Sequence, residues 1–81
     1  NFDLIHQDFF KLLDERFPNL TRNDKILCAY LNMNLSSKEI APLLNISIRG
    51  VEVNRYRLRK KMDLDRDVNL SDFLQSLKQY V

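Results

Sequence analysis

The chain has 81 residues, and 44% of them are apolar. This is enough for one small domain with a limited core and too much for a disordered tail. With one glycine and two prolines, the chain lacks the turn formers that an all-β fold of many hairpins needs. No apolar run reaches the roughly 18 residues of a membrane span, so we expect no membrane contact by this segment.

The scarcity of cysteine and histidine excludes several kinds of site. Cys28 is the only cysteine and His6 the only histidine, so an internal disulfide, a zinc cluster and a histidine-based triad are excluded. We expect Cys28, in the apolar run ILCAYL, to be a small buried hydrophobe. The sequence also lacks a phosphate-binding glycine loop, and we predict neither an enzyme nor a cofactor.

The first predicted helix spans residues 2 to 17, where apolar side chains recur at helical spacing over a wide face. Pro18 ends it, because the residue before a proline avoids the α region. Two interpretations of the apolar face stay open, packing into the core and pairing with a second chain. We assign residues 1–18 to an N-terminal connecting helix and residues 19–81 to the main domain.

Two capping boxes predict the starts of the second and third helices. Thr21 precedes Asp24 by three positions, and Ser36 precedes Glu39 by three. In each pair the hydroxyl and the carboxylate can bond each other's backbone amides.

The third helix is short and is followed by a tight turn. We expect Ile40, Leu43 and Leu44 to face inward. Pro42 lies inside the helix and removes one backbone hydrogen bond. Asn45 follows at the position where a left-handed residue would close the helix, a conformation that asparagine tolerates.

The fourth predicted helix runs from the Ser47 cap to about Lys61, and the Ser47 oxygen can accept from the amide of Gly50. On a helical wheel of about 100° per residue, one side is predicted to be buried. It consists of Val51, Leu58 and Met62, with Ile48 near them. A last helix is predicted from about Leu70 to Tyr80, capped by Asn69.

The opposite side of the fourth helix is basic but not uniformly polar. Residues 47–61 contain six basic residues and one acid, although the whole chain carries only +2. The outer side presents Arg49, Val53, Tyr56 and Lys60. A merely solvated face has little reason to show a valine and a tyrosine among arginines. In a DNA major groove, apolar atoms can contact thymine methyls, Tyr and Glu can contact base edges, and Arg and Lys can hold phosphates.

A short capped helix, a tight turn and a longer basic helix form the pattern of a helix-turn-helix. The stretch LSSKEIAPLLNISIRGVEVNRYRLRKKMDL resembles the LuxR/GerE-type motif, approximately L-S-x-K-E-I-A-x-x-L-x-I-S-x-x-T-V-x-x-H-x-x-x-I-x-x-K-L. Leu20 and Thr21 also match the family's entry into its first helix, and the resemblance covers residues 20 to about 78. It implies an all-α fold, a four-helix DNA-binding domain, preceded here by one extra N-terminal amphipathic helix.

The resemblance also implies roles for individual residues. Base edges are assigned to Glu52, Val53 and Tyr56. Phosphates are assigned to Ser47, Arg49, Arg57, Lys60 and Lys38. Gly50 stands where the family usually has threonine, which loses a hydroxyl and could instead allow a closer backbone approach to DNA. Asn54 replaces the common histidine.

Two assignments have alternatives. Glu39 is expected to cap its own helix and to pair with a base on the next helix, with Arg55 as the candidate. A DNA contact is the alternative for Arg55. The stripe of the last helix is interpreted either as a dimer contact or as core alone. It consists of Leu70, Phe73, Leu74 and Leu77.

The sequence therefore predicts sequence-specific binding of double-stranded DNA by the output domain of a bacterial transcription regulator, of the two-component or sensor-regulator kind. We expect a cytoplasmic domain, a homodimer on a symmetric operator, and RNA polymerase as a further candidate partner. Because the chain begins with Asn1 and not with methionine, we expect a longer parent, which could be membrane-anchored. The alternative function is a helical protein-interaction or dimerisation module whose basic face meets an acidic partner.

Overall fold

The computed structural model of the chain describes residues 5–77. Within this range the chain forms five helices and no strand, which confirms the all-α prediction. The helices are α1 (Gln7–Arg16), α2 (Arg22–Asn32), α3 (Ser37–Leu44), α4 (Ile48–Lys61) and α5 (Leu70–Leu77). The predicted first and last helices extend into residues 2–4 and 78–80, which lie outside the described range. The predicted first helix also included His6, which the structure places at the N-cap of α1 and not within it. No described helix is long and apolar enough to cross a membrane.

Both predicted capping boxes are present. The Thr21 hydroxyl accepts from the amide of Asp24 at 3.1 Å, and the Asp24 carboxylate accepts from the amide of Thr21 at 2.9 Å. Ser36 and Glu39 make the same reciprocal pair at 3.1 and 2.9 Å. Hydrogen bonds from the backbone and side chain of Ser36 hold the pKa of Glu39 below its ordinary value. The starts of α2 and α3 are therefore set by local side-chain chemistry.

The starts of α4 and α5 also lie at their predicted caps. The Ser47 hydroxyl accepts from the amide of Gly50 at 3.0 Å, and the Asn69 side-chain oxygen accepts from the amide of Asp72 at 3.0 Å. Each bond satisfies one of the amides that a helix start leaves without a partner.

The turn between α3 and α4 is built around a left-handed asparagine. Asn45 has φ 57° and ψ 42°, as the sequence predicted. The amide of Ile46 donates to the carbonyl of Ala41 at 3.0 Å, and the amide of Asn45 donates to the carbonyl of Pro42 at 3.3 Å. This is a Schellman arrangement, which satisfies the last carbonyls of α3 within the turn.

The ends of α2 and α4 repeat the arrangement. Asn34 and Asp63 have φ of 65° and 55°, and in each case the next amide bonds to the carbonyl five positions back. The bonds run from Leu35 to Tyr30 at 3.2 Å and from Leu64 to Arg59 at 3.0 Å. Asparagine and aspartate are the ordinary residues that enter this conformation most readily.

Replacing Asn45 by alanine is expected to lower the free energy of unfolding by about 1 kcal/mol, because a Cβ without a local polar partner is disfavoured at positive φ. Asn45→Gly should be neutral or slightly stabilising. Asn23→Ala, at an exposed asparagine inside α2, is the control and should not destabilise the protein. Urea denaturation of the four proteins measures these effects, and equal losses for the two alanine variants would contradict the assignment.

All five helices contribute to one hydrophobic core. Helix α2 packs against α1, α4 and α5, and α3 packs against α4. Phe9, Leu12 and Leu13 of α1 are buried, so the apolar face of the first helix packs into the core of its own chain. Cys28 is fully buried as predicted, and burial, with a smaller contribution from Asp24, raises the pKa of its thiol to about 12.

Two residues predicted to face inward do not. Leu43 is 55% exposed and Ile48 is 49% exposed. The buried arc of α3 includes Ala41 as well as Ile40, and its centre is therefore rotated away from Leu43. Ile48 lies about 60° from Val51 around the wheel and at the first position of α4, beside the turn.

The apolar stripe of α5 faces its own chain. Leu70, Leu74 and Leu77 are at most 4% exposed, while Phe73 is half-buried with its ring centroid 6.1 Å from that of Phe17. The interpretation as core therefore accounts for the three leucines. A dimer contact stays a prediction, and these leucines could contribute to it only by leaving the core.

Candidate nucleic-acid interface

Arg55 contributes to the relative position of α3 and α4. Its guanidinium donates to the hydroxyl of Ser37 at 3.3 Å, which links α4 to the start of α3. It also lies 4.0 Å from the carboxylate of Glu52, one turn earlier. The predicted pair with Glu39 is wrong: within residues 5–77 the ion pair of Arg55 is with Glu52, while the carboxylate of Glu39 accepts from the amide of Ser36 in its own capping box.

The outer face of α4 carries the predicted stripe. Arg49, Val53, Tyr56 and Lys60 are all exposed, with Val53 at 38% and Tyr56 at 58%. From Arg49 to Lys60 the stripe extends about 16 Å along the axis, at the helical rise of 1.5 Å per residue. The Lys60 ammonium lies 4.9 Å from the centroid of the Tyr56 ring, a cation–π distance that holds the two side chains together.

Half of the six basic residues of α4 form hydrogen bonds to other residues of the protein. Besides Arg55, Arg59 donates to the carbonyls of Asp65 at 2.7 Å and Arg66 at 2.9 Å. Lys61 donates to the carboxylate of Asp24 on α2. These bonds attach α4 to α3, to the following loop and to the start of α2.

The other three bases, Arg49, Arg57 and Lys60, are exposed. Over residues 5–77 none of them pairs with a carboxylate. They are the α4 bases assigned to phosphates in the sequence analysis. The structure thus separates the bases of one helix into an inward-bonded set and an outward set.

The carboxylate of Asp24 caps the start of α2 and also accepts a hydrogen bond from Lys61 of α4. Its partial burial alone would raise its pKa, but hydrogen bonds from Lys61 and Thr21 outweigh this and bring the pKa below the ordinary value. The carboxylate is therefore ionised at neutral pH and neutralises Lys61. This explains why Lys61, although next to Lys60 in sequence, belongs to the inward set.

The N-terminus of α4 adds positive potential. Among the described residues, the amides of Ile48 and Arg49 have no hydrogen-bond acceptor, while that of Gly50 is taken by Ser47. Amides at a helix start favour an anion such as phosphate. Ser47, which precedes Ile48 and Arg49 in the sequence, is exposed at the same end of α4.

Gly50 has a packing role that the sequence did not reveal. Its φ is not positive, so the helix does not require glycine. A Cβ here would lie 3.3 Å from the Ser47 hydroxyl oxygen and 3.4 Å from Cδ1 of Ile46, which is tight. The absence of a side chain therefore leaves room for the capping serine and for the turn.

The remaining predicted site residues are exposed on the same two helices. Glu52 lies on α4 beside the stripe, and Lys38 lies in the first turn of α3. Ile46 and Ile48, which are 38% and 49% exposed, adjoin the start of α4 and were missed as surface residues. A helical wheel could not identify them, since the burial of a turn depends on its neighbours.

In residues 5–77 no group of three or more His, Cys, Asp or Glu side chains is placed to hold a metal ion. Comparison of the chain with known protein families, curated proteins and solved structures finds no match. The chemistry of the exposed surface therefore has to support the functional interpretation. That surface presents exposed cations, the helix-start amides of α4, and the exposed side chains of Val53, Tyr56 and Glu52.

Proposed function

We propose that this chain binds double-stranded DNA in a sequence-specific manner, with α4 in the major groove. Helices α2 to α5 would form a LuxR/GerE-type helix-turn-helix domain, and α1 would be the extra helix that joins it to its parent. The domain would act as the output module of a bacterial transcription regulator, as a homodimer on a symmetric operator. The observation that supports this most is the outward set of unpaired bases, Arg49, Arg57 and Lys60, around Val53 and Tyr56.

The bonding of the bases supports a binding surface on the outer face of α4. A cation without a carboxylate partner raises the local positive potential, which attracts a polyanion. The exposed Val53 and Tyr56 within the same stripe are unexplained by solubility. They are suited to contact with thymine methyl groups and base edges.

The length of the stripe suits a duplex. The B-DNA major groove is about 12 Å wide, and the stripe extends about 16 Å along α4. Basic residues at its two ends, Arg49 and Lys60, can therefore reach phosphates on either side of the groove. Val53 and Tyr56 then lie between them over the bases.

The test is the equilibrium affinity for a labelled mixed-sequence duplex at several salt concentrations. Three phosphate contacts by Arg49, Arg57 and Lys60 give a slope of log affinity against log salt of about −2.7 or steeper. Absence of binding at low salt and high protein concentration would overturn the proposal. It would favour the second candidate, a protein-interaction module, for which the exposed apolar side chains of Leu43 and Ile48 are the supporting observation.

Glu52→Ala is expected to relax discrimination between sites and to change overall affinity less. Its exposed carboxylate can accept a hydrogen bond from the amino group of a cytosine, and one such contact contributes roughly 1–3 kcal/mol of discrimination. The measurement is the ratio of affinities for a selected operator and for operators with single base pairs changed.

Asp8→Ala is the matched control, because it also removes one exposed carboxylate, on α1. It should leave every ratio unchanged. If Glu52→Ala also leaves all ratios unchanged, Glu52 does not contact a base.

A further inference from the structure

A groove lies beside the C-terminal part of α4. It is lined by Tyr56, Arg59, Lys60, Leu64 and Arg66 and has a volume of about 230 Å³. The lining contains three cations and no carboxylate. Asp65 and Asp67 adjoin Arg66 in the sequence, but neither lines the groove.

The groove is built by the fold of the loop that follows α4. The left-handed Asp63 turns the chain back, and the amide of Leu64 bonds to the carbonyl of Arg59. The Arg59 guanidinium then holds the carbonyls of Asp65 and Arg66 at 2.7 and 2.9 Å. The backbone of Arg66 is therefore fixed against α4 by a residue of α4 itself.

The side chain of Arg66 is left without a protein partner. It is exposed, and in the described part of the chain it makes no ion pair and donates no hydrogen bond. Its position is thus defined by its backbone, while its guanidinium is available to a ligand.

The groove adjoins the DNA-facing stripe, because Tyr56 and Lys60 belong to both. A ligand in the groove would therefore lie next to the DNA that α4 is proposed to read. Arginine and lysine together bind phosphate oxygens, arginine with paired donors and lysine as a point charge. The apolar part of the lining, Leu64 and the Tyr56 ring, suits the sugar of the same nucleotide.

We propose that this groove holds a backbone phosphate at the edge of the binding site, bound by Arg66 together with Lys60. This inference rests on the proposed function. It extends the DNA surface from α4 to the loop of residues 63–69 and assigns Arg66 a contact that the sequence analysis did not include.

Arg66→Gln is expected to make the salt slope shallower by about 0.9 and to weaken binding roughly eightfold at 0.1 M salt, the loss that one phosphate contact implies. Arg66→Lys should keep most of the slope. Lys11→Gln, which removes one exposed positive charge from α1, is the control and should change neither. Circular dichroism should show unchanged folding, because only the backbone of Arg66 makes bonds within the protein.

Duplexes with single neutral methylphosphonate linkages can locate the contact. One linkage at the edge of the site should weaken binding of the wild type more than that of Arg66→Gln, in which only Lys60 is left to contact that phosphate. If the wild type binds no DNA, the proposed function fails. If it binds with a steep slope and Arg66→Gln behaves as Lys11→Gln does, only the assignment of Arg66 fails.

Discussion

Replacing Leu74 by alanine is expected to lower the free energy of unfolding by about 2–5 kcal/mol, the range for a fully buried leucine. Leu74 has no exposed surface and lies on α5, which packs against α2. Small domains have a total stability near the lower end of about 5–15 kcal/mol. The variant should therefore be largely unfolded at modest urea concentrations, as measured by circular dichroism.

Leu43→Ala is the matched control, since it makes the same chemical change at a leucine that is 55% exposed. Its effect should stay within about 1 kcal/mol. The comparison also addresses the role of α5. If Leu74→Ala left the monomer fully stable and only abolished self-association, the stripe of the last helix would face a second chain.

The joint substitution of Arg49, Arg57 and Lys60 by glutamine is expected to weaken duplex binding about 500-fold at 0.1 M salt. This is the counterion-release contribution of three phosphate contacts. The salt slope should become shallower by about 2.7 at the same time. Fluorescence anisotropy with a labelled duplex at four or more salt concentrations measures both quantities. The fold should persist, because none of the three residues forms an ion pair within residues 5–77.

The same helix provides a control of identical composition. Changing Arg55, Arg59 and Lys61 to glutamine also removes two arginines and one lysine from α4. This variant should keep the part of the salt slope due to Arg49, Arg57 and Lys60 and lose at most the contribution of about 0.9 from Arg66, whose backbone Arg59 holds. It should also lose roughly 1–3 kcal/mol of stability, because it removes the bonds to α3, to the loop and to Asp24. If both triple variants lost binding equally while folded, net charge and not the outer face of α4 would govern the interaction.

Most of the helix boundaries could be predicted from the sequence, because capping residues close to each boundary determine them. The hydroxyl and carboxylate of a capping box are only three residues apart, as in Ser36 and Glu39. The left-handed position of Asn45 likewise follows from a conformational preference of one residue type. Such signals need no knowledge of the remaining fold.

The partners of the bases could not be predicted, because they come from other parts of the chain. The pair of Lys61 with Asp24 joins residues 37 positions apart. The expected pair of Arg55 with Glu39 is absent from residues 5–77, where Arg55 contacts Ser37 and Glu52 instead. Wheel geometry also misplaced Leu43, since the arc that a helix buries depends on where its neighbours lie.

The turn between α3 and α4 has a consequence for how the proposed interface could diversify. The amides of Asn45 and Ile46 are bonded within the turn, and Arg55 links the two helices through Ser37. None of these bonds uses the side chains of Val53, Tyr56 or Arg57. On the proposed function, substitutions at those outer positions would retarget the domain to new operators while the scaffold stayed intact. Recognition and stability would then evolve as nearly independent traits of one helix.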